Sequence, residues 1–185
     1  MSALLSKKRF RHSPKTQKTD PKDAVAINHK LLVRGGFVDQ LMAGSWTLLP
    51  LGWRVIQKIN QIIREEMNAI GGQEMLMPLM HPKEIWMETG RWDSAKEIMY
   101  QLKDTREKDF GLAFTHEEIV LDLVRKQGLS YRDLPLVIYH FSTKFRNEVR
   151  VQGGALRGRE FLMKDLYSLH ESEKDLMDFY EKCKK

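Results

Sequence analysis

Cysteine is almost absent from this chain: its 185 residues hold one, Cys183. No intrachain disulfide can form, and a cysteine-rich metal site is excluded. The chain also lacks any apolar run near the roughly 20 residues that a membrane-spanning helix needs. The N-terminal stretch MSALLSKKRFRHSPKTQKTDPKD is basic but has no apolar segment of the secretory kind. No internal repeat and no low-complexity tract is present. The scarcity of cysteine fits a reducing compartment, and the cytoplasm is the expected location.

What is present points to a folded, globular chain. Hydrophobic residues make up 42% and charged residues 30%, in a length that suits one domain with a real core. The formal net charge of +6 suits a polyanionic partner and equally a merely solvated basic surface. Residues 1–22 are expected to form a basic, disordered tail, and ordered structure is expected to begin near Pro21.

Periodicity outlines the elements. KDAVAINHKLLVRGG has helical spacing and a Gly35-Gly36 stop. A short strand is expected around Trp46 to Leu49. LGWRVIQKINQIIREEMNAIGG is the clearest helix, with Val55, Ile59, Ile62, Ile63, Met67 and Ile70 on one stripe and Gly71-Gly72 ending it. QEMLMPLM reads as a short strand interrupted by Pro78, which belongs at an edge or an interface because proline donates no ladder hydrogen bond. HPKEIWMETGRW suggests a short helix and turn, and EIMYQLKD with DFGLAFT a hairpin around TREK. HEEIVLDLVRKQG reads as a helix. LPLVIYHFSTKFRNE and REFLMKDLYSLH read as long strands. Ser172 is the expected N-cap of the helix EKDLMDFYEKC, with Asp175 in its first turn. Trp53, Trp86, Met87 and Trp92 read as packing residues. The fold class implied is α+β, an antiparallel sheet with flanking helices.

One stretch carries the chemistry: FRNEVRVQGGALRGREFLMKD, Phe145 to Asp165. Residues two apart on a strand share a face. Arg146 and Glu148 would then point the same way, as would Arg157, Arg159, Phe161, Met163 and Asp165. Ionised groups are buried only when paired, so such a face suits a nucleotide better than a dry core. Arg forks onto a phosphate, a carboxylate or its backbone accepts from an exocyclic amine, and Phe stacks on a purine. Gly153-Gly154 would let the loop backbone move over a ligand. The alternative is an exposed hairpin with solvated charges and Phe161 in the core.

FRNE, a variable loop and RGREF resemble motif 2 of the class II aminoacyl-tRNA synthetases, and AIGGQEMLMPLM resembles their motif 1, with Pro78 as its hallmark proline. REFLMKDLYSLH, TGRW, LKD and THEE, and the opening LLVRGGFVDQLMAGSWTLLPLGWRVIQKINQIIREEMNAIG, are similar to the bacterial prolyl-type family within that class. The likeness runs from about Asp23 onwards. It implies a class II synthetase-like core over 23–185, incomplete at its C-terminus, that activates proline with ATP and charges tRNA(Pro).

The resemblance assigns residues as follows. Arg146 would hold the ATP α-phosphate and orient the amino-acid carboxylate, Glu148 would bind the adenine amino group, Phe161 would stack on adenine, and Arg157 would lie near the outer phosphates. Mg2+ would bridge the phosphates, with no metal cage built from protein alone. Thr115, Glu117, Met163 and Asp165 would bind proline, Glu117 meeting its secondary ammonium. On the residues alone, Thr115 could instead cap the following helix and Met163 could be core filler. His116 reads as a neighbour and not a catalyst. Gly71, Gly72 and Pro78 would lie at a homodimer interface, or Gly71 and Gly72 simply end a helix.

The chain also departs from the pattern. Val151-Gln152-Gly153 stands where the family has Pro-Arg-Phe, Ala113-Phe114 replaces Gly-Pro, Leu169 stands where Phe is usual, and no motif 3 is present. The expectation is therefore an N-terminal part of a longer synthetase. Two alternatives remain: threonyl or seryl specificity, and a synthetase-like nucleotide-binding or dimerisation module without catalysis.

Overall fold

The computed structural model describes residues 16–22, 24–149 and 153–184. Most of the expected tail, residues 1–15, lies outside the described residues, as do Val151 and Gln152 of the glycine-rich loop. The described part of the tail is tied to the helix that follows. The Gln17 N–H donates to the Arg34 carbonyl at 2.9 Å, and Asp20 pairs with Arg34 at 3.2 Å and Lys30 at 3.4 Å.

Two units are distinguished by their internal contacts: residues to Asn60 with Val149–Arg159, and Gln61–Glu148 with Glu160–Lys185. The first holds helix α1 (Ile27–Arg34), the antiparallel hairpin of β1 (Val38–Met42) and β2 (Ser45–Leu48), and the start of α2 (Pro50–Ala69). The sequence reading foresaw β2 but not β1, because VDQLM exposes four of its five residues and shows no clean alternation. Pro50 opens α2, where its missing N–H costs nothing. Gly52 is required there: a Cβ would lie 2.1 Å from the Phe37 carbonyl oxygen. His29 packs edge-on against Trp46 at 4.8 Å, and Asn28 Nδ2 donates to the Gly153 carbonyl at 2.6 Å.

The second unit carries two three-stranded sheets. One is ordered β3 (Gln73–Glu74), β7 (Leu136–Phe145), β8 (Glu160–Leu169), and the other β4 (Met80–Pro82), β6 (Asp109–Leu112), β5 (Gln101–Lys103). All of their pairs are antiparallel except β3 with β7, which is parallel. The strand expected across QEMLMPLM is thus a two-residue β3, and Pro78 sits in irregular chain before β4. The TREK hairpin forms as expected, its turn held by Asp104, whose Oδ1 accepts from the Arg106 and Lys108 N–H groups.

Helices α3 (Lys83–Glu88) and α4 (Arg91–Ser94) bring Trp86 and Trp92 into a cluster with Met99 and Phe114. Helix α5 (Glu117–Gln127) places Val120 against Met77, in the irregular chain before β4, and Ile138 of β7. It has acids in its first turn and bases in its last, as the helix dipole favours. Ser172 caps α6 (Glu173–Cys183) by accepting from the Asp175 N–H at 3.2 Å.

Two packing expectations fail. Trp53 and Met87 are exposed, and on the apolar stripe of α2 Val55, Ile59 and Ile62 are exposed as well. The 3.6-residue period of an apolar stripe shows that a helix has an apolar face, not that its own chain covers that face.

Candidate active site

The long hairpin of β7 and β8 builds the site. Its ladder runs unbroken from Leu136 opposite Leu169 to Phe145 opposite Glu160. His140, Ser142 and Lys144 therefore lie opposite Asp165, Met163 and Phe161, six residues on one face. The strand ends earlier than the sequence suggested. Phe145 donates its N–H to Ala113 and Asn147 donates to Ile98, so the chain leaves the ladder before Arg146. Arg146, Glu148, Arg157 and Arg159 lie outside both strands. The expected alternation holds for Phe161, Met163 and Asp165 only.

Arg146 nevertheless meets Phe161, through tertiary contact and not strand parity. Its guanidinium carbon lies 5.4 Å from the centre of the half-buried Phe161 ring, a cation–π geometry. Its Nε and Nη2 both donate to the Phe114 carbonyl at 3.3 Å. The Glu148 N–H donates to the Arg146 carbonyl at 2.7 Å, folding the chain tightly after the strand. Arg157 ends the short 3-10 turn Gly154–Leu156 and belongs to the first unit.

The Thr115–Glu117 loop is held from two sides. The Tyr167 hydroxyl accepts from the His116 backbone N–H at 3.2 Å and also meets the Thr115 side chain. Thr115 does not cap α5: His116 occupies the N-cap position and makes no side-chain cap hydrogen bond. On the outer side Arg91 Nη1 donates to Glu117 Oε2 at 2.6 Å and to Glu118 Oε1 at 2.9 Å, with its guanidinium 5.0 Å from the Phe114 ring centre. Glu118 is buried and Glu117 exposed.

Beneath this surface lies a buried polar cluster. Lys144, fully buried, donates to Asp165 Oδ2 at 2.7 Å and Ser142 Oγ at 2.9 Å; its Nζ lies 3.1 Å from His140 Nε2 and also contacts His116 Nδ1. Tyr167 donates its hydroxyl proton to Asp165 Oδ2 at 2.9 Å. Burial opposes ionisation of Asp165, but hydrogen bonds from His140, Lys144 and Tyr167 and the ammonium charge hold its carboxyl well below the usual range. Burial lowers the Lys144 ammonium, and the bond to Asp165 offsets part of that. Burial, with the charges of Lys144 and His140 beside it, lowers His116 to about 3; burial lowers His81 to about 4 against a hydrogen bond from its ring to the Pro78 carbonyl. Tyr167 is raised, by burial and by the neighbouring Asp165.

His116, His140 and Asp165 offer three donor atoms within 4.8 Å of one another. They do not fit Mg2+, which seeks oxygen ligands, and the Lys144 ammonium already stands against all three. Pro78, read as an interface residue, turns its carbonyl inwards: His81 Nε2 at 2.8 Å and His116 Nε2 at 2.9 Å both meet it. Gly71, at φ +93°, and Gly72 end α2; a Cβ on Gly72 would lie 3.0 Å from the Tyr139 ring.

Sequence reasoning missed Lys144, His140, Tyr167 and Arg91. A signal for the first two was present: His140, Ser142 and Lys144 alternate polar residues through an otherwise apolar strand, the pattern of a face that does not meet a dry core.

Residues 100–185 match the family model of the tRNA synthetase class II core domain (G, H, P, S and T). Over that C-terminal stretch the chain is thus similar to the class II tRNA synthetase core. Within that class its relatives are proline–tRNA ligases. It is 51% identical over 170 residues to the proline–tRNA ligase of Thermotoga maritima, an alignment that covers 92% of this chain and 30% of that one. The chain thus spans about three tenths of the length of the curated relatives it matches. Its fold is that of Giardia lamblia prolyl-tRNA synthetase in complex with prolyl-adenylate, with a TM-score of 0.74 at 21% identity over 83% of this chain and 33% of that one. The RNA binding domain of threonyl-tRNA synthetase from Cryptosporidium parvum gives a TM-score of 0.73 at 24% identity, covering 83% of this chain and 39% of that one. The shared fold therefore does not choose between amino acids.

Proposed function

We propose that this chain supplies the nucleotide- and amino-acid-binding part of a proline–tRNA ligase, which joins proline to ATP as prolyl-adenylate and then transfers the prolyl group to tRNA(Pro). The proline carboxylate attacks the α-phosphorus and pyrophosphate leaves. The terminal ribose hydroxyl of the tRNA then attacks the prolyl carbonyl and AMP leaves. Both steps need positioning and charge stabilisation more than covalent help from the protein.

The observation that carries this reading is Arg146 set beside Phe161 at the open end of a strand face that continues to Asp165. In it, the Arg146 fork takes the α-phosphate and the substrate carboxylate. Phe161 stacks on adenine, worth about 1–3 kcal/mol. Glu148 and its backbone accept from the adenine amino group, and Arg157 serves the outer phosphates. Mg2+ accompanies ATP as counter-ion to its phosphates. Thr115, Glu117, Met163 and Asp165 form the proline end. Residues 23–185 are read as one partial catalytic domain, and the cytoplasm as its location. Among the described residues no helix is long and apolar enough to cross a membrane.

A second copy of the chain is the proposed partner of the exposed α2 stripe of Val55, Ile59 and Ile62, and Gly71, Gly72 and Pro78 are assigned to the same homodimer interface. An apolar face of this kind is costly to leave in water.

Pyrophosphate exchange by the protein carrying this chain tests the reading, with each amino acid supplied in turn. Proline-dependent exchange is expected. Exchange driven by threonine or serine would replace the specificity, and no exchange together with retained ATP binding would favour a non-catalytic module.

A further inference from the structure

Lys144 has no role in the reading above, yet its placement is costly. A lysine buried at mid-sheet loses its hydration, and a leucine or methionine would fill the space without that penalty. Its three ammonium protons meet three acceptors, Asp165 Oδ2, Ser142 Oγ and His116 Nδ1, while His140 Nε2, 3.1 Å away, keeps its own proton for Asp165. The His116 tautomer follows from its other partner. The Pro78 carbonyl, 2.9 Å from Nε2, can only accept, so Nε2 carries the proton and Nδ1 offers its lone pair to Lys144. His116 thus links Lys144 on the sheet to the chain before β4.

The contacts of Asp165 are lopsided. Lys144 at 2.7 Å, Tyr167 at 2.9 Å and His140 at 3.4 Å all converge on Oδ2. Oδ1 has no hydrogen-bond partner among the described residues, and the side chain is 10% exposed. The Tyr167 hydroxyl that grips Oδ2 also receives the His116 backbone N–H and meets Thr115. One network therefore spans the acid on β8 and the loop that opens α5.

We infer that Lys144 is a positioning residue for the amino end of the substrate, the secondary ammonium of a small amino acid: it pins one oxygen of Asp165, leaving the other for the ligand, and through His116 it anchors the Thr115–Glu117 loop. This rests on the assignment of Asp165, Thr115 and Glu117 to the proline end. The charged and titratable groups around Lys144 are His140 on its own strand, Asp165 and Tyr167 on β8, His116 before α5, and Arg146 and His81 further out.

The test compares the protein carrying this chain with its Lys144→Met variant in proline-dependent pyrophosphate exchange. The KM for proline is expected to rise about tenfold or more while the KM for ATP stays within about twofold. With the ammonium gone, burial of Asp165 is less opposed and its carboxyl titrates higher, so the variant recovers proline affinity as pH rises from about 5 to 8 and the parent does not. An unchanged proline KM, or equal losses for proline and ATP with no pH dependence, would overturn the inference. Should Lys144→Met fail to fold, Tyr167→Phe removes one donor to Asp165 and leaves the ammonium in place; a rise of about threefold confined to proline is expected, and no rise overturns the inference. A parent protein that shows no proline-dependent exchange would refute the functional reading instead, a distinct result.

Discussion

Replacing Arg146 with alanine should separate stability from function. In the unliganded protein the side chain makes two modest contacts. Its guanidinium lies 5.4 Å from the Phe161 ring centre, worth about 0.5–1 kcal/mol at a half-exposed site. Its two N–H groups share the Phe114 carbonyl at 3.3 Å, long bonds worth together about 1 kcal/mol net. The truncation should therefore cost about 1–2 kcal/mol, or roughly 2–8 °C in Tm for a chain of this size. Against a phosphate the same fork would make two charge-assisted bonds of about 1.5–3 kcal/mol each, so kcat/KM for pyrophosphate exchange should fall by about 150-fold to about 25,000-fold. Arg146→Lys keeps the charge but not the fork and should fall between. ATP binding to the chain itself, by calorimetry, should weaken in step. Exchange within about threefold of the parent, or activity lost only to the extent that the protein unfolds, would refute the assignment.

Arg91→Met should destabilise the protein by about 3 kcal/mol, because the buried Glu118 loses its cation; Glu118→Gln in the same protein should restore much of that loss, read by chemical denaturation. Acid should weaken the fold early. His81 and His116 stay neutral when folded, with values lowered to about 4 and about 3, so the unfolded chain binds the extra protons. Their contribution is full above pH about 6.5 and is lost as pH falls towards 4, at about 1.4 kcal/mol per pH unit for each; His81→Asn should roughly halve the slope of unfolding free energy against pH, and a slope unchanged by that substitution would be the contrary result. Ile62→Glu places a charge on the exposed α2 face and should shift sedimentation from dimer towards monomer with little change in Tm, whereas a parent that sediments as a monomer would remove the proposed pairing.

Local patterning determined a good deal here by itself. Helices α2, α5 and α6 follow from apolar periodicity with glycine or serine at their ends. The β5–β6 and β7–β8 hairpins follow from paired β-rich runs about a turn or loop. Those signals are short-range, written in dihedral preferences and in hydrogen bonds between near neighbours. Phe161, Met163 and Asp165 could be put on one face for the same reason, because strand parity is a property of the backbone alone. Where β7 ends could not be read this way. Its termination depends on Phe145 and Asn147 finding carbonyls of Ala113 and Ile98, which lie far off in the chain. Whether the α2 stripe would be covered was equally out of reach, since periodicity marks an apolar face without naming what packs on it. The Lys144 cluster draws its residues from four separated segments, around His81, His116, His140–Lys144 and Asp165–Tyr167. Only packing decides that such groups meet, because the energy that holds a buried ammonium comes largely from partners such as Asp165 and His116, close in space and distant in sequence.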